Sequence, residues 1–231
     1  MPANPFSSKT ESLAREAIHR IDPSLEELFL TVIRFLILNP DSASSPRGRK
    51  VAVGTPEYIQ AIAKAFTDGR LPKSPQAPST VPDDMVSIVL EHYFDVDHND
   101  LDRIKTEHAL SMGAENIVGD LLEQYLNSEL EHRGWVWCSG SVVKAVDFLK
   151  PPLKTEDDWV ALQVKNRDNS ENSSSSAIRR NTTIKKWHRT FSRKVGSNWA
   201  AFPDEDARPS LSEQHFRDFA IAYLKGLRQF N

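Results

Sequence analysis

The sequence predicts an α/β (α+β) fold, a mixed central sheet flanked by helices and preceded by a helical N-terminal region. Three observations lead there. Apolar residues recur at intervals of three to four through parts of 12–66 and again through 113–130, the period of a one-sided helix. Between 135 and 165 the pattern changes to short runs rich in β-branched and aromatic residues, bounded by turn formers. After 212 the helical spacing returns and closes the chain.

Taken in order, residues 12–21 have helical spacing, and Asp22-Pro23-Ser24 opens a second helix through Leu38, with Glu26 and Glu27 in its first turn. Residues 39–50 form a loop. Thr55-Pro56-Glu57 starts a helix that aligns Tyr58, Ile59, Ile62, Ala63 and Phe66 on one face. Residues 68–83 are rich in proline and read as a linker or a long surface loop. A short helix follows over 86–93, and 98–109 is an exposed connection or a polar helix. Residues 113–130 are strongly amphipathic through Ile117, Val118, Leu121, Leu122, Tyr125 and Leu126. Strands are expected at 135–137, 142–148 and 159–165. Residues 166–182 read as a polar loop, 183–192 as a helix, and 212–230 as the last helix. This divides the chain into a helical N-terminal region, 1–100, in a supporting role, and a core, 101–231.

Composition narrows the function classes. The 231 residues suffice for one domain with an appendage, and 39% hydrophobic content supplies a core. No apolar run approaches the roughly 18 residues of a membrane span. The N-terminus lacks a charged segment leading into an apolar one, so no signal peptide is expected. Cys138 is the only cysteine, which excludes an internal disulfide and a cysteine-based zinc site. The seven histidines fall at no metal-ligand spacing, and no phosphate-binding glycine motif is present, so no nucleotide cofactor is expected. A bacterial cytoplasmic protein fits these features.

The net charge is only −3, but it is unevenly spread. From 172 to 203 there is no Asp or Glu, while Arg179, Arg180, Lys185, Lys186, Arg189, Arg193 and Lys194 all fall there. One strongly basic segment on a nearly neutral chain indicates one face for a polyanion. Just before it stands Gln163-Val164-Lys165. Side chains alternate along a strand, so Gln163 and Lys165 share a face. Asp147 closes the apolar run 142–147. An acid, an amide oxygen and an amine at one sheet edge suit a hard metal ion and an activated water, the chemistry of phosphodiester cleavage. Asp147 is the anchoring ligand in this reading, Gln163 and the Val164 carbonyl complete its side, and Lys165 orients the water.

A helix bearing Glu, a strand ending in Asp and a strand ending in (D/E/Q)-x-K follow the order of the PD-(D/E)xK nucleases. More closely, Met112-Gly-Ala-Glu-Asn-Ile-Val-Gly-Asp-Leu-Leu-Glu123, Gly134-Trp-Val-Trp-Cys-Ser-Gly-Ser-Val-Val-Lys-Ala-Val-Asp147 and Gln163-Val-Lys-Asn-Arg-Asp-Asn-Ser-Glu-Asn-Ser173 resemble the SinI/AvaII-type restriction endonucleases. The resemblance spans about 112–200. It implies a PD-(D/E)xK core, a Mg2+ cofactor, double-stranded DNA as substrate with GGWCC as its site, and a homodimer that cuts one strand per subunit and leaves 5′ phosphates. It also implies that the preceding helix supplies an acid. Glu115 matches that position best, and Glu123 is the fallback. Gln163 departs from the pattern, since an amide is a weaker metal ligand than a carboxylate.

The DNA-contacting segment extends over 166–194. Asn166, Arg167, Asp168, Asn169 and Ser170 mix donors and acceptors suited to base edges and backbone. Arg179, Arg180, Lys185 and Lys186 suit phosphates. Trp187, Phe191 and Trp199 could stack on bases, but the first two at helical spacing read as core. A nuclease of the same fold acting in repair or on modified DNA remains an alternative, as does a non-catalytic DNA-binding relative.

Overall fold

The computed structural model describes residues 4–46, 51–154, 158–168 and 184–229. Six α-helices are described: α1 (Thr10–His19), α2 (Glu26–Leu38), α3 (Pro56–Asp68), α4 (Asp84–Phe94), α5 (Leu101–Leu130) and α6 (Glu213–Arg228). The strands are β1 (Val136–Trp137), β2 (Phe148–Lys150), β3 (Val160–Arg167) and β4 (Lys185–Thr190).

Several helix starts follow from their caps. The Thr55 hydroxyl accepts the Tyr58 N–H at 3.2 Å ahead of Pro56 in α3. Ser212 accepts the His215 N–H at 3.1 Å and opens α6. The Asp22 carboxylate accepts the Ser24 N–H at 3.0 Å in the 3-10 turn before α2. The polar stretch before residue 113 is not a separate element. It is the first half of a 30-residue helix, supported by the pairs Lys105–Asp102 and Arg103–Glu107 one turn apart, both 2.9 Å.

The sheet order is β1-β2-β3-β4. β1 and β2 are antiparallel, as are β2 and β3, while β3 and β4 are parallel. The mixed sheet expected from the sequence is therefore present. Each face carries its own apolar cluster. On one side, α1, α2 and α3 pack with Val136, Cys138, Leu149 and Ala161. On the other, the second half of α5 and Phe216 of α6 pack with Trp137, Phe148, Leu162, Val164 and Trp187. The N-terminal helices thus share a core with the sheet and bury one of its faces. No helix among the described residues is long and apolar enough to cross a membrane.

Two expected elements are corrected. Residues 142–147 are not a strand. Val142, Val143 and Val146 are all buried, and left-handed backbone at Gly140, Ser141 and Ala145 turns the segment toward the N-terminal helices. There it pairs with 42–44: Lys144 N–H donates to the Ser42 carbonyl at 2.8 Å and Ser44 N–H to Val142 at 3.3 Å. Within 183–192 the regular structure is strand β4, not helix. Its partner is β3, with Val164 opposite Trp187, and Trp187 is the one buried residue of the strand, between exposed Lys186 and half-buried His188.

Candidate active site

Asp147 lies immediately before β2, at the point where the irregular 142–147 segment joins the sheet. Its backbone is fixed on both sides. The Asp147 N–H donates to the Leu162 carbonyl and its own carbonyl accepts from Cys138, both at 2.8 Å. The side chain is fixed as well: the Val164 N–H donates to the Asp147 carboxylate at 2.7 Å. Neighbouring left-handed, non-glycine residues at Ser141 (φ 54°) and Ala145 (φ 56°) hold the approach in a conformation that carries strain. Gly140 (φ 70°) cannot be replaced without collision, because a Cβ there would stand 2.1 Å from the Ala65 carbonyl in α3.

The Asp147 carboxylate faces a cavity of about 370 Å³, whose lining also includes Glu123, Asp120, Lys73 and Trp137. Glu123 and Asp120 project from the buried half of α5, one turn apart. The Trp137 indole N–H donates to the Glu123 carboxylate at 2.9 Å. Burial pushes the Glu123 carboxyl up to about 7, and the Asp147 charge pushes the same way, against the Trp137 hydrogen bond. Burial pushes Asp147 up to about 6, opposed by the Val164 N–H and by the charge of Lys165. These two acids therefore lie close enough to repel each other, in a place that disfavours uncompensated negative charge. Among the described residues, no three His, Cys, Asp or Glu side chains stand close enough to hold a metal ion together.

The sequence-derived site residues divide into groups. Asp147, Val164 and Lys165 come together: Val164 bonds Asp147 directly, and exposed Lys165 acts on it through its charge. Gln163 is buried in β3 next to them, 4% exposed. Glu115 is not brought to the cavity. It is exposed on α5, eight residues before Glu123, roughly 12 Å along the axis and turned about 80° away. Of the two helix acids, Glu123 is the one that lines the cavity with Asp147. Asp120 and Lys73 were not expected. Asp120 shares the helical face of Glu123, whereas Lys73 comes from the proline-rich 68–83 segment and has no local sequence signal.

The flanking polar residues are partly engaged within the chain. The Asn166 amide oxygen accepts from Arg189 Nε and Nη2, at 2.9 and 2.8 Å, and Arg189 also pairs with Glu213. The Asp168 carboxylate accepts the Ser192 N–H. Arg167, Lys185 and Lys186 are exposed. Asn169, Ser170, Arg179 and Arg180 lie outside the described residues. Trp187 and Trp199 are core residues, 2% and 6% exposed, with ring centroids 5.1 Å apart.

A strand-supported acid, an acid from a packed helix and a lysine two residues beyond a buried amide thus come together beside the mixed sheet. The comparisons with known proteins give the family. The model of the SinI restriction endonuclease family matches residues 10–226. The chain is 50% identical over 225 residues to the Type II restriction enzyme SinI of Salmonella infantis, covering 96% of this chain and 97% of that one. It is 51% identical over 221 residues to the Type II restriction enzyme Eco47I of Escherichia coli, covering 95% and 96%. The chain belongs to the SinI restriction endonuclease family, and it is an enzyme of the site-specific deoxyribonuclease class. The match includes α1–α3, well beyond the 112–200 stretch that carries the resemblance.

Proposed function

We propose that the protein is a magnesium-dependent restriction endonuclease of the PD-(D/E)xK type that cuts both strands of duplex DNA at a short palindrome, GGWCC, leaving 5′ phosphates. The observation that carries this reading is the pairing of Asp147 and Glu123 on one cavity, with the Lys165 charge acting on Asp147. Family membership supports the substrate class.

The residues present fit a magnesium ion. Magnesium takes oxygen donors and commonly one or two carboxylates, keeping water on its other positions. Asp147 and Glu123 would supply the carboxylates. The Val164 carbonyl points to the same strand edge as its N–H, toward Asp147, and would add a neutral oxygen. Gln163 contributes its amide oxygen in this reading. The bound ion would polarise the phosphate and make a coordinated water more acidic. Lys165 orients the attacking water and offsets charge developing on the phosphate oxygens. Water attacks phosphorus in line, the bond to the 3′ oxygen breaks, and a 5′ phosphate and a 3′ hydroxyl result.

Lys185 and Lys186 on β4, Arg167 beyond Lys165, and Arg179 and Arg180 contact phosphates in this reading, with Asn169 and Ser170 beside the scissile step. Asn166 and Asp168 shape the strand end that presents them. Two copies acting as a homodimer place one such site on each strand of a two-fold-symmetric sequence. Digestion of DNA of known sequence with magnesium, with the ends mapped, tests the proposal. A fixed fragment set with ends inside GGWCC is expected. Nicking confined to lesions or methylated sites would instead support a repair nuclease, and binding without any cutting would support a non-catalytic relative.

A further inference from the structure

Lys73 lies in the 69–83 segment that leaves α3, yet it lines the Asp147 cavity. Its backbone is clamped by α6: the Lys73 N–H donates to the Tyr223 hydroxyl at 2.6 Å, and that hydroxyl donates back to the Lys73 carbonyl at 3.3 Å. The same segment lies against α5, where a Cβ on Gly113 would stand 2.7 Å from the Gln76 carbonyl. With its backbone fixed in this way, the Lys73 ammonium pairs with the Asp120 carboxylate at 2.7 Å. Asp120 is thereby engaged in an ion pair, while Glu123, one turn later, is bonded to Trp137 and faces Asp147. The cavity holds these three acids, but no three acids among the described residues are grouped closely enough for an ion.

We propose that Lys73 is a positioning residue of the metal site: by pairing with Asp120 it keeps that acid out of the ligand set and leaves Glu123 and Asp147, among the described residues lining the cavity, as the carboxylates offered to a divalent cation. The inference rests on the proposed metal site and adds a residue to it. Three acids and one lysine leave a net charge of −2 facing the ion. Losing the lysine makes it −3 and frees Asp120. Losing Asp120 instead makes it −1 and leaves an unpaired ammonium beside Glu123, where it competes with the cation.

The test is manganese binding to the full chain without DNA, measured by calorimetry or by loss of the free-ion paramagnetic resonance signal. Lys73→Met should tighten binding about tenfold, Asp120→Asn should weaken it about tenfold, and the double variant should return to within about twofold of wild type. Lys73→Arg, which keeps the pair, should bind like wild type. The Lys73–Tyr223 contacts are made by the backbone and survive these changes; circular dichroism checks that each variant is folded, and Lys73→Gln repeats the test should Lys73→Met fail to fold. Unchanged affinity in Lys73→Met and Lys73→Gln would overturn the proposal, and so would a double variant as weak as Asp120→Asn, which would make Asp120 itself a ligand. Asp147→Asn separates the two levels. If it abolishes binding while the lysine variants are silent, only the role of Lys73 fails; if it leaves binding intact, the metal site fails and the role of Lys73 with it.

Discussion

The two halves of α5 carry the same kinds of side chain and put them to different uses. In the first half, Glu115 and Leu110 face solvent, the leucine 62% exposed. In the second, Leu122 is 1% exposed and Glu123 sits under Trp137 beside Asp147. Both acids are helix-borne, and both fit the motif order. Packing of the second half against β1 and β3 removes water from Glu123 and brings it to a second charge; the first half has no such cover. What brings an acid to Asp147 is the surface its turn is pressed against, not its position in a motif.

The largest effect should come from the residue the second half faces. Asp147→Ala should lower cleavage at least about a thousandfold, about 4 kcal/mol of barrier, while gel-shift binding in calcium persists. Loss of binding in step with cleavage would mean that Asp147 maintains the fold rather than the chemistry. The contrast in packing comes next. Leu122→Ala should lower stability by about 3 kcal/mol in urea titration, through lost burial and a residual cavity. Leu110→Ala, with little to lose, should change it by under about 0.5 kcal/mol. Equal losses would mean that the first half is covered in solution.

The contrast in acids is smaller but sharper. Glu123→Gln should reduce cleavage about thirtyfold, about 2 kcal/mol, and Glu115→Gln by less than about twofold. The reverse ranking in single-turnover rates would restore Glu115 as the helix acid.

The same contrast shows how far the sequence could be read. α2, α3 and α6 were legible because the apolar stripe and the turn before it agree, as in Thr55 with Tyr58 and Ser212 with His215. The Asp147 and Lys165 pairing was legible because the spacing of a strand fixes which side chains share a face, and Asp147 bonds the residue between Gln163 and Lys165. β4 was not legible. Trp187 and Phe191 mimic a helical stripe, and only the ladder with β3 imposes a period of two. The 142–147 run looked like a strand because valines are common in strands. Its three valines enter the N-terminal core instead, through backbone turns at Ser141 and Ala145 that no residue type there announces. That Glu123 rather than Glu115 reaches the Asp147 cavity is a matter of tertiary packing, invisible without the sheet. Lys73 depends on a contact between residues 150 positions apart, Lys73 and Tyr223.

The last consequence concerns pH. Glu123 is lifted from 4.5 to about 7 and Asp147 from 3.8 to about 6, burial being the first cause in both. An acid lifted by folding holds its proton more tightly in the folded chain than in the unfolded one. Its stabilising contribution is complete below its unfolded value, roughly pH 4, and is lost as pH climbs through the folded value. Without divalent cation, the melting temperature of the wild type should therefore fall relative to Glu123→Gln between pH 5 and 8, readings to be made by thermal denaturation. Magnesium competes with those protons, so its stabilisation of the wild type should grow over the same interval. A wild-type-minus-variant difference that stays flat with pH would mean that Glu123 and Asp147 are not pressed together. The second half of α5 would then be no more a part of the site than the first.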